Sequence, residues 1–265
     1  MTLRDSARTV NRFQPGTFTP APRPAPIMRM LVAQTRLELT LVLRNGEQLL
    51  LTMLIPVTLL VGLCLLRVGH FDEPRANVFV PAIMTVAVMS TAFTGQAIAV
   101  GFDRRYGALK RLGATALPRW GVIAGKSGAV VIVVILQAAI LGVLGTAFGW
   151  TWTWTGLLLG AIVIALGTVT FSALGLLLGG TLKAEIVLAL ANILWFILIA
   201  VGSVAVIGDS VPTAVHWIAR CTPSGALSEA LHRAADGSFD VVSTAVLVVW
   251  AAVGGAAAVR FFRFT

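Results

Sequence analysis

Charge is scarce in this sequence: only 12% of its 265 residues are Asp, Glu, Lys or Arg, roughly half the share of an ordinary soluble domain. Beside 57% hydrophobic residues and a mean hydropathy of +0.91, that scarcity excludes a soluble enzyme. One core does not need so much apolar material, and a soluble surface could not hide the rest. A disordered chain is excluded by the same composition. Cysteine is almost missing, and two residues cannot staple a chain of this length, so a disulfide scaffold is excluded as well. Acidic residues are few, 11 against 20 basic ones. The resulting net charge of +9 would suggest nucleic acid as the partner of a soluble protein, but its placement along the chain decides otherwise.

What the sequence does have is long apolar runs. Six stretches approach or exceed the ~20 residues that a helix needs to cross hydrocarbon: Leu49–Leu66, Val78–Gly101, Gly121–Phe148, Gly156–Gly180, Ile186–Ile207 and Val241–Val259. No alternating pattern of the membrane β-barrel kind is present. The expected fold class is an all-α polytopic membrane protein with six transmembrane helices, the first kinked at Pro56. Residues 1–26 carry five prolines among Arg, Thr and Ala and no signal-peptide pattern, and read as a disordered cytoplasmic tail. Residues 27–45 read as an amphipathic interfacial helix and residues 46–265 as the six-helix domain.

Six spans put both termini on one side. The termini and the loops after spans two and four hold 16 of the 20 Lys and Arg residues, and acidic residues divide five against six. One face is therefore at +11 and the other at −2. The positive-inside bias places both termini in the cytoplasm, and the charge becomes a topology signal with no nucleic-acid partner. Within the spans as drawn there is no Asp, Glu, Arg or His, and Lys126 lies near one end. Buried ionisable groups mark proton relays, so a stand-alone channel or secondary carrier is the weaker alternative. A membrane-embedded lipid-modifying enzyme, which would cluster carboxylates or His at one interface, is weaker still.

Several strings invite sharper readings. Gly121-Val-Ile-Ala-Gly-Lys-Ser127 has three residues before the Gly-Lys pair where a P-loop needs four, and it enters a membrane helix instead of following a strand. The chain is not expected to bind ATP. Gly125-Lys-Ser127-Gly128 matches the G-x-S-G string of intramembrane serine proteases. A nucleophilic Ser needs a base within reach, and the three histidines all fall on the opposite face. The pairs Gly145/Gly149, Gly156/Gly160 and Gly175/Gly179 suit close helix packing. Trp120, Trp150, Trp152 and Trp154 suit an interfacial belt. Cys64 and Cys221 fall toward the same, acidic face, which leaves a disulfide open.

In Ile27–Asn45, Arg29, Arg36, Thr40 and Arg44 gather in one narrow stripe of the helical wheel, with Met, Leu and Val over most of the rest. Such a helix suits the membrane surface, its basic stripe turned to lipid phosphates or a partner. Glu38 lies on the opposite side, where a simple lipid anchor would not need it. In the loop after span two, Leu109 and Leu112 recur beside Arg105, Lys110 and Arg111. The pattern predicts a short amphipathic helix over Asp103–Leu112, ended by Gly113, with Pro118 before span three.

The segment Arg105-Tyr-Gly-Ala-Leu-Lys-Arg-Leu-Gly-Ala-Thr-Ala-Leu-Pro-Arg119, closing in Gly125-Lys126, resembles the loop between the second and third spans of ABC-2-type permeases, the membrane subunits of ABC exporters that include the daunorubicin-resistance permeases. Ala116 stands where that family often has Pro, and the basic Arg104 and Arg105 stand where many members carry Glu. The resemblance implies short re-entrant helices between spans five and six. It also implies a bacterial plasma-membrane permease exporting a hydrophobic or amphipathic substrate (drug, lipid or glycan). Its partners would be a separate ABC ATPase subunit, a second permease copy or a homologous permease, and membrane lipids. No cofactor would be bound by this chain, with ATP and Mg on the partner. Asp103, Arg104, Arg105, Tyr106, Gly107, Ala108, Leu109, Lys110, Arg111 and Leu112 would form the ATPase-coupling contact. Arg29, Arg36, Glu38 and Arg44 on the interfacial helix would make a second contact. Asn192, Trp195 and Phe196 in span five would border the substrate path.

Overall fold

In hydrocarbon every backbone polar group must be satisfied within the chain, so apolar stretches of this length fold as helices. The computed structural model describes residue 17 and residues 25–66, 74–115, 117–206 and 212–262, and every regular element among them is helical. In chain order these are α1 (Ile27–Arg44), α2 (Gly46–Leu65), α3 (Arg75–Val88), a π-helical segment (Met89–Gly95), α4 (Gln96–Arg105), α5 (Ala108–Gly113), α6 (Arg119–Ala147), α7 (Trp154–Thr181), α8 (Ala184–Val206), α9 (Thr213–Arg220), α10 (Pro223–Ala235) and α11 (Val241–Phe261). The tail expected over residues 1–26 lies outside the described residues apart from 17, 25 and 26.

Helix α3 runs through the π segment into α4 as one unit, Arg75–Arg105. It, α6, α7, α8 and α11 are long and apolar enough to cross a membrane. Helix α2 is the sixth, with Pro56 in its interior and a shorter apolar run, Thr52–Leu65. Each of the six expected stretches is thus a helix. Large apolar side chains such as Ile135, Val143, Ile193, Phe196 and Val253 are exposed on the outside of the bundle, where lipid is the solvent.

Helix α7 is the packing centre, set against α4, α6, α10 and α11. Glycine on α7 permits close approach: a Cβ at Gly175 would lie 2.7 Å from the Phe93 carbonyl oxygen, and one at Gly179 would lie 2.4 Å from that of Ala97. These are backbone-to-backbone contacts of the small-residue kind that membrane helices use in place of a hydrophobic driving force. Two of the three glycine pairs split their roles, since Gly156 abuts the Ala234 carbonyl while Gly160 faces open space, and Gly149 ends α6 at positive φ.

Between α8 and α11 stand the two short helices expected there. Thr222 caps α10, its Oγ1 accepting from the Gly225 amide at 3.1 Å, with Pro223 at the first helical position. Along most of its length α10 is buried, packed against α3, α7, α8 and α11. One end of the bundle carries α5 and the starts of α6 and α8, and is the basic end. The other carries α9, α10 and the loop at Thr151, and is the acidic end.

Candidate functional site

Three charged side chains from three helices meet at the basic end. On α1, Gln34 and Glu38 are one turn apart on one face, and the Gln34 Nε2 donates to Glu38 Oε1 at 2.7 Å. On α6, Lys126 Nζ donates to Glu38 Oε2 at 2.8 Å and to Asp103 Oδ2, in the last turn of α4, at 2.7 Å. Lys126 and Glu38 are buried, whereas the Asp103 side chain is 37% exposed. Taking a lysine and a glutamate out of water is unfavourable unless charge and hydrogen bonds are both returned. Here each is returned by a residue from a different helix, so the triad ties α1, α4 and α6 together.

Glycine makes this seating possible. A Cβ at Gly125 would fall 2.4 Å from the Gln34 Cγ, and one at Gly128 would fall 3.1 Å from the Thr35 hydroxyl. The Gly125-Lys126-Ser127-Gly128 string is therefore the bed on which α1 lies, with the cation between its glycines. The described part of α1 is amphipathic in an inverted sense, with Gln34 and Glu38 buried while Met28, Val32 and Leu41 face outward. The helix is not simply laid on the membrane by its apolar surface: its polar face is docked on α6, and Arg29, Arg36 and Arg44 remain exposed.

The loop after α4 corrects the single helix predicted over Asp103–Leu112. Helix α4 ends at Arg105. Gly107 takes φ +74°, a left-handed conformation that favours glycine, and α5 begins only at Ala108. Tyr106, stacked on Phe102 with ring centroids 6.0 Å apart, remains 73% exposed. The Leu face of α5 turns inward. Leu109 is fully buried in a cluster with Val100, Val122, Leu176, Ala258 and Phe262, and Leu112 packs against it. What α5 offers outward is Ala108, Lys110 and Arg111 beside Tyr106. An ion pair between Arg105 and Glu185 at 2.7 Å, more than half exposed on both sides, contributes little by itself.

Behind the triad lies a cavity of about 70 Å³ bordered by Glu38, Lys126, Thr91 and Gln96. The Gln96 Oε1 accepts from Ser172 Oγ at 2.8 Å, and Ser172 shares a 2.8 Å hydrogen bond with Ser127. Gln137 accepts from Thr91 at 3.0 Å and donates to the Thr52 carbonyl at 2.9 Å. The π segment contributes Thr91 and Gly95 to this wall, an irregularity of the kind that collects at functional sites. Two hydrogen-bonded groups, Gln96–Ser172–Ser127 and Thr91–Gln137–Thr52, thus meet the triad around one cavity.

A second buried charge group stands at the acidic end. The Arg220 Nη2 donates to both Asp240 carboxylate oxygens at 2.5 Å, and its Nε donates to Ser243 Oγ at 3.0 Å. Asp240 also caps α11, accepting from the Val242 and Ser243 amides at 3.1 and 3.3 Å. Burial by itself would raise the Asp240 carboxyl, but the hydrogen bonds from Ser243 and the Arg220 guanidinium hold it below its ordinary value. Trp217 stacks on Arg220 at 5.1 Å, and Arg233 pairs with Glu229 at 2.6 Å. This group fixes α9 and α10 to the start of α11.

The span-five residues are brought together only in part. Trp195 packs against the core and Phe196 is 66% exposed on the outside, their rings edge-to-face at 4.9 Å. Asn192 is exposed and spends its amide on the Leu188 carbonyl at 2.7 Å. Both cysteines are free. Among the described residues no group of three His, Cys, Asp or Glu side chains could hold a metal ion. The residue that sequence reasoning undervalued is Lys126, and the signal for it was Glu38, an acid on the wrong side of a basic helix.

The bundle and its buried charge groups define a polytopic helical membrane protein whose polar joints lie at the two ends of the spans. Residues 71–260 match the family described as ABC-2 family transporter protein. The chain belongs to that family and is a membrane permease, a transport component. No curated protein matches the chain.

Proposed function

We propose that the chain is the permease of an ATP-driven exporter whose ATP hydrolysis resides on a separate ABC ATPase subunit, with ATP and Mg bound there. The basic end faces the cytoplasm, as the excess of Lys and Arg on that face favours. The exposed side of the loop (Tyr106, Ala108, Lys110 and Arg111) is the surface offered to the ATPase, and two permeases assemble to enclose the path. The cargo is hydrophobic or amphipathic, and the membrane is a bacterial plasma membrane.

The observation that carries this reading is the Glu38–Lys126–Asp103 triad. A partner pressing on α5 moves α4 through the short Tyr106–Gly107 turn. Asp103, in the last turn of α4, passes the displacement through Lys126 to α6 and through Glu38 to α1. Rigid elements joined by buried ion pairs move together, which is how a contact at one end becomes a tilt of whole spans. Lys126 is enclosed by two carboxylates, which favours a transmission joint over an ion pathway. The test is purification of the chain from its native membrane. The expected result is a co-purifying P-loop subunit with ATP hydrolysis. Complexes that never contain such a subunit would overturn the reading.

A further inference from the structure

We infer that the groove between α1 and α6 at the basic end is a binding site for an anionic phospholipid of that leaflet, one acyl chain lying in the groove and the phosphate resting on Arg36. The groove encloses about 430 Å³ and is walled by Met28, Val32 and Leu39 of α1 and by Ala124 and Ile132 of α6, with Arg36 on its lining. It stands apart from the triad, on another side of α1, and the inference does not depend on the ATPase partner.

Two observations identify the occupant. The first is charge. Arg36 is exposed and forms no ion pair among the described residues, and Arg29, seven residues earlier on the same stripe, is equally exposed and unpaired. The carboxylates whose side chains the structure describes at this end are engaged elsewhere: Glu38 and Asp103 with Lys126, and Glu185 with Arg105. No ion pair to a described side chain neutralises Arg36, and phosphate suits a guanidinium by its planar pair of donors. The second is position. The walls beside Arg36 are apolar and open to the side of the bundle. Trp120, 41% exposed, lies one turn toward the start of α6 from Ala124 and marks the headgroup level. An apolar trough just below that level with a cation on its lining matches a lipid, which carries an acyl chain and a phosphate in one molecule. A free phosphate would leave the trough unfilled.

The test places a reporter in the groove. Ile132→Trp, with the exposed Ala124→Trp as a second reporter, is reconstituted in phosphatidylcholine nanodiscs with increasing phosphatidylglycerol, each lipid supplied in turn with brominated chains. The added tryptophan emission is expected to be quenched at lower mole fraction by brominated phosphatidylglycerol than by brominated phosphatidylcholine. Arg36→Gln is expected to remove that preference, a shift of roughly fivefold for one lost cation near the surface. Arg36→Lys should keep most of it, and Arg44→Gln, outside the groove, should keep all of it. Equal quenching by the two lipids would overturn the inference. So would an equal loss in Arg36→Gln and Arg44→Gln, which would mean diffuse attraction by the basic stripe. Relief of quenching by millimolar inorganic phosphate would assign the site to a free anion and overturn it as well.

Discussion

At Lys126 one ammonium is shared by two carboxylates, and removing it strands both. Lys126→Met is expected to destabilise the protein by about 3–5 kcal/mol, the range for a buried pair broken on one side. Replacing all three charges (Glu38→Gln, Lys126→Met, Asp103→Asn) should restore most of that loss, because no uncompensated charge remains. Thermal unfolding in detergent checks both, and a triple variant as unstable as Lys126→Met would contradict the account of the triad. The second charge group makes a pH prediction. The folded-state pKa of Asp240 is lowered from 3.8, so its stabilising contribution is present above that value and is lost as pH falls through it toward the folded value. The thermal midpoint of the wild-type protein should therefore fall more steeply than that of Asp240→Asn between about pH 5 and about pH 3. At this scale the sequence was half legible. The wheel of α1 set Glu38 apart from the arginines, but its partner lies 88 residues away, a distance no local pattern crosses. Arg220 and Asp240 were legible only as loop charges, because nothing in their spacing announces a shared hydrogen-bond network.

Among the elements, helices were legible and their facing was not. Apolar length alone marks the spans to within a few residues at most ends, since hydrocarbon permits no other backbone solution. The pattern Leu109, Leu112 announced an apolar face on the loop helix but could not say what covers it. The structure covers it with the chain's own Val100, Val122 and Phe262 and leaves Lys110 and Arg111 exposed. The break at Gly107 escaped the sequence reading because a Gly between Tyr and Ala is tolerated in a helix as well as in a turn. Two predictions belong here. Leu109→Asp should unfold the loop by burying a charge, whereas Tyr106→Asp with Arg111→Glu should leave the thermal midpoint near that of the wild type and weaken ATPase association. If both variants shift the midpoint equally, α5 has no free outward face. Gly179→Ala, forced against the Ala97 carbonyl, should cost about 1–3 kcal/mol by overpacking. Gly160→Ala, in open space, should cost nothing measurable by the same thermal assay.

Across the whole molecule the uneven charge is the feature that would orient the bundle, and the triad at its basic end is the feature that would transmit force. The cavity behind the triad is lined by Lys126 and Gln96, and Gln96 accepts from Ser172. The apolar surface of α8, with Asn192 and Phe196 exposed on it, suits a neighbouring permease or lipid. Trp195 belongs to the chain's own core. Sequence reading could not separate these three residues, because consecutive positions of a span point in different directions and only packing shows which is outward.

Site-directed cross-linking in native membranes tests the central claim most directly, with a photoreactive group on a cysteine introduced by Ala108→Cys on α5 or by Ser238→Cys at the opposite end. The account predicts that the Ala108→Cys protein forms an adduct with a P-loop ATPase subunit and is shielded from impermeant reagents added outside. The Ser238→Cys protein should react from outside and form no such adduct. Adducts with the ATPase from Ser238→Cys, or none from Ala108→Cys in membranes that hold the assembled complex, would contradict it.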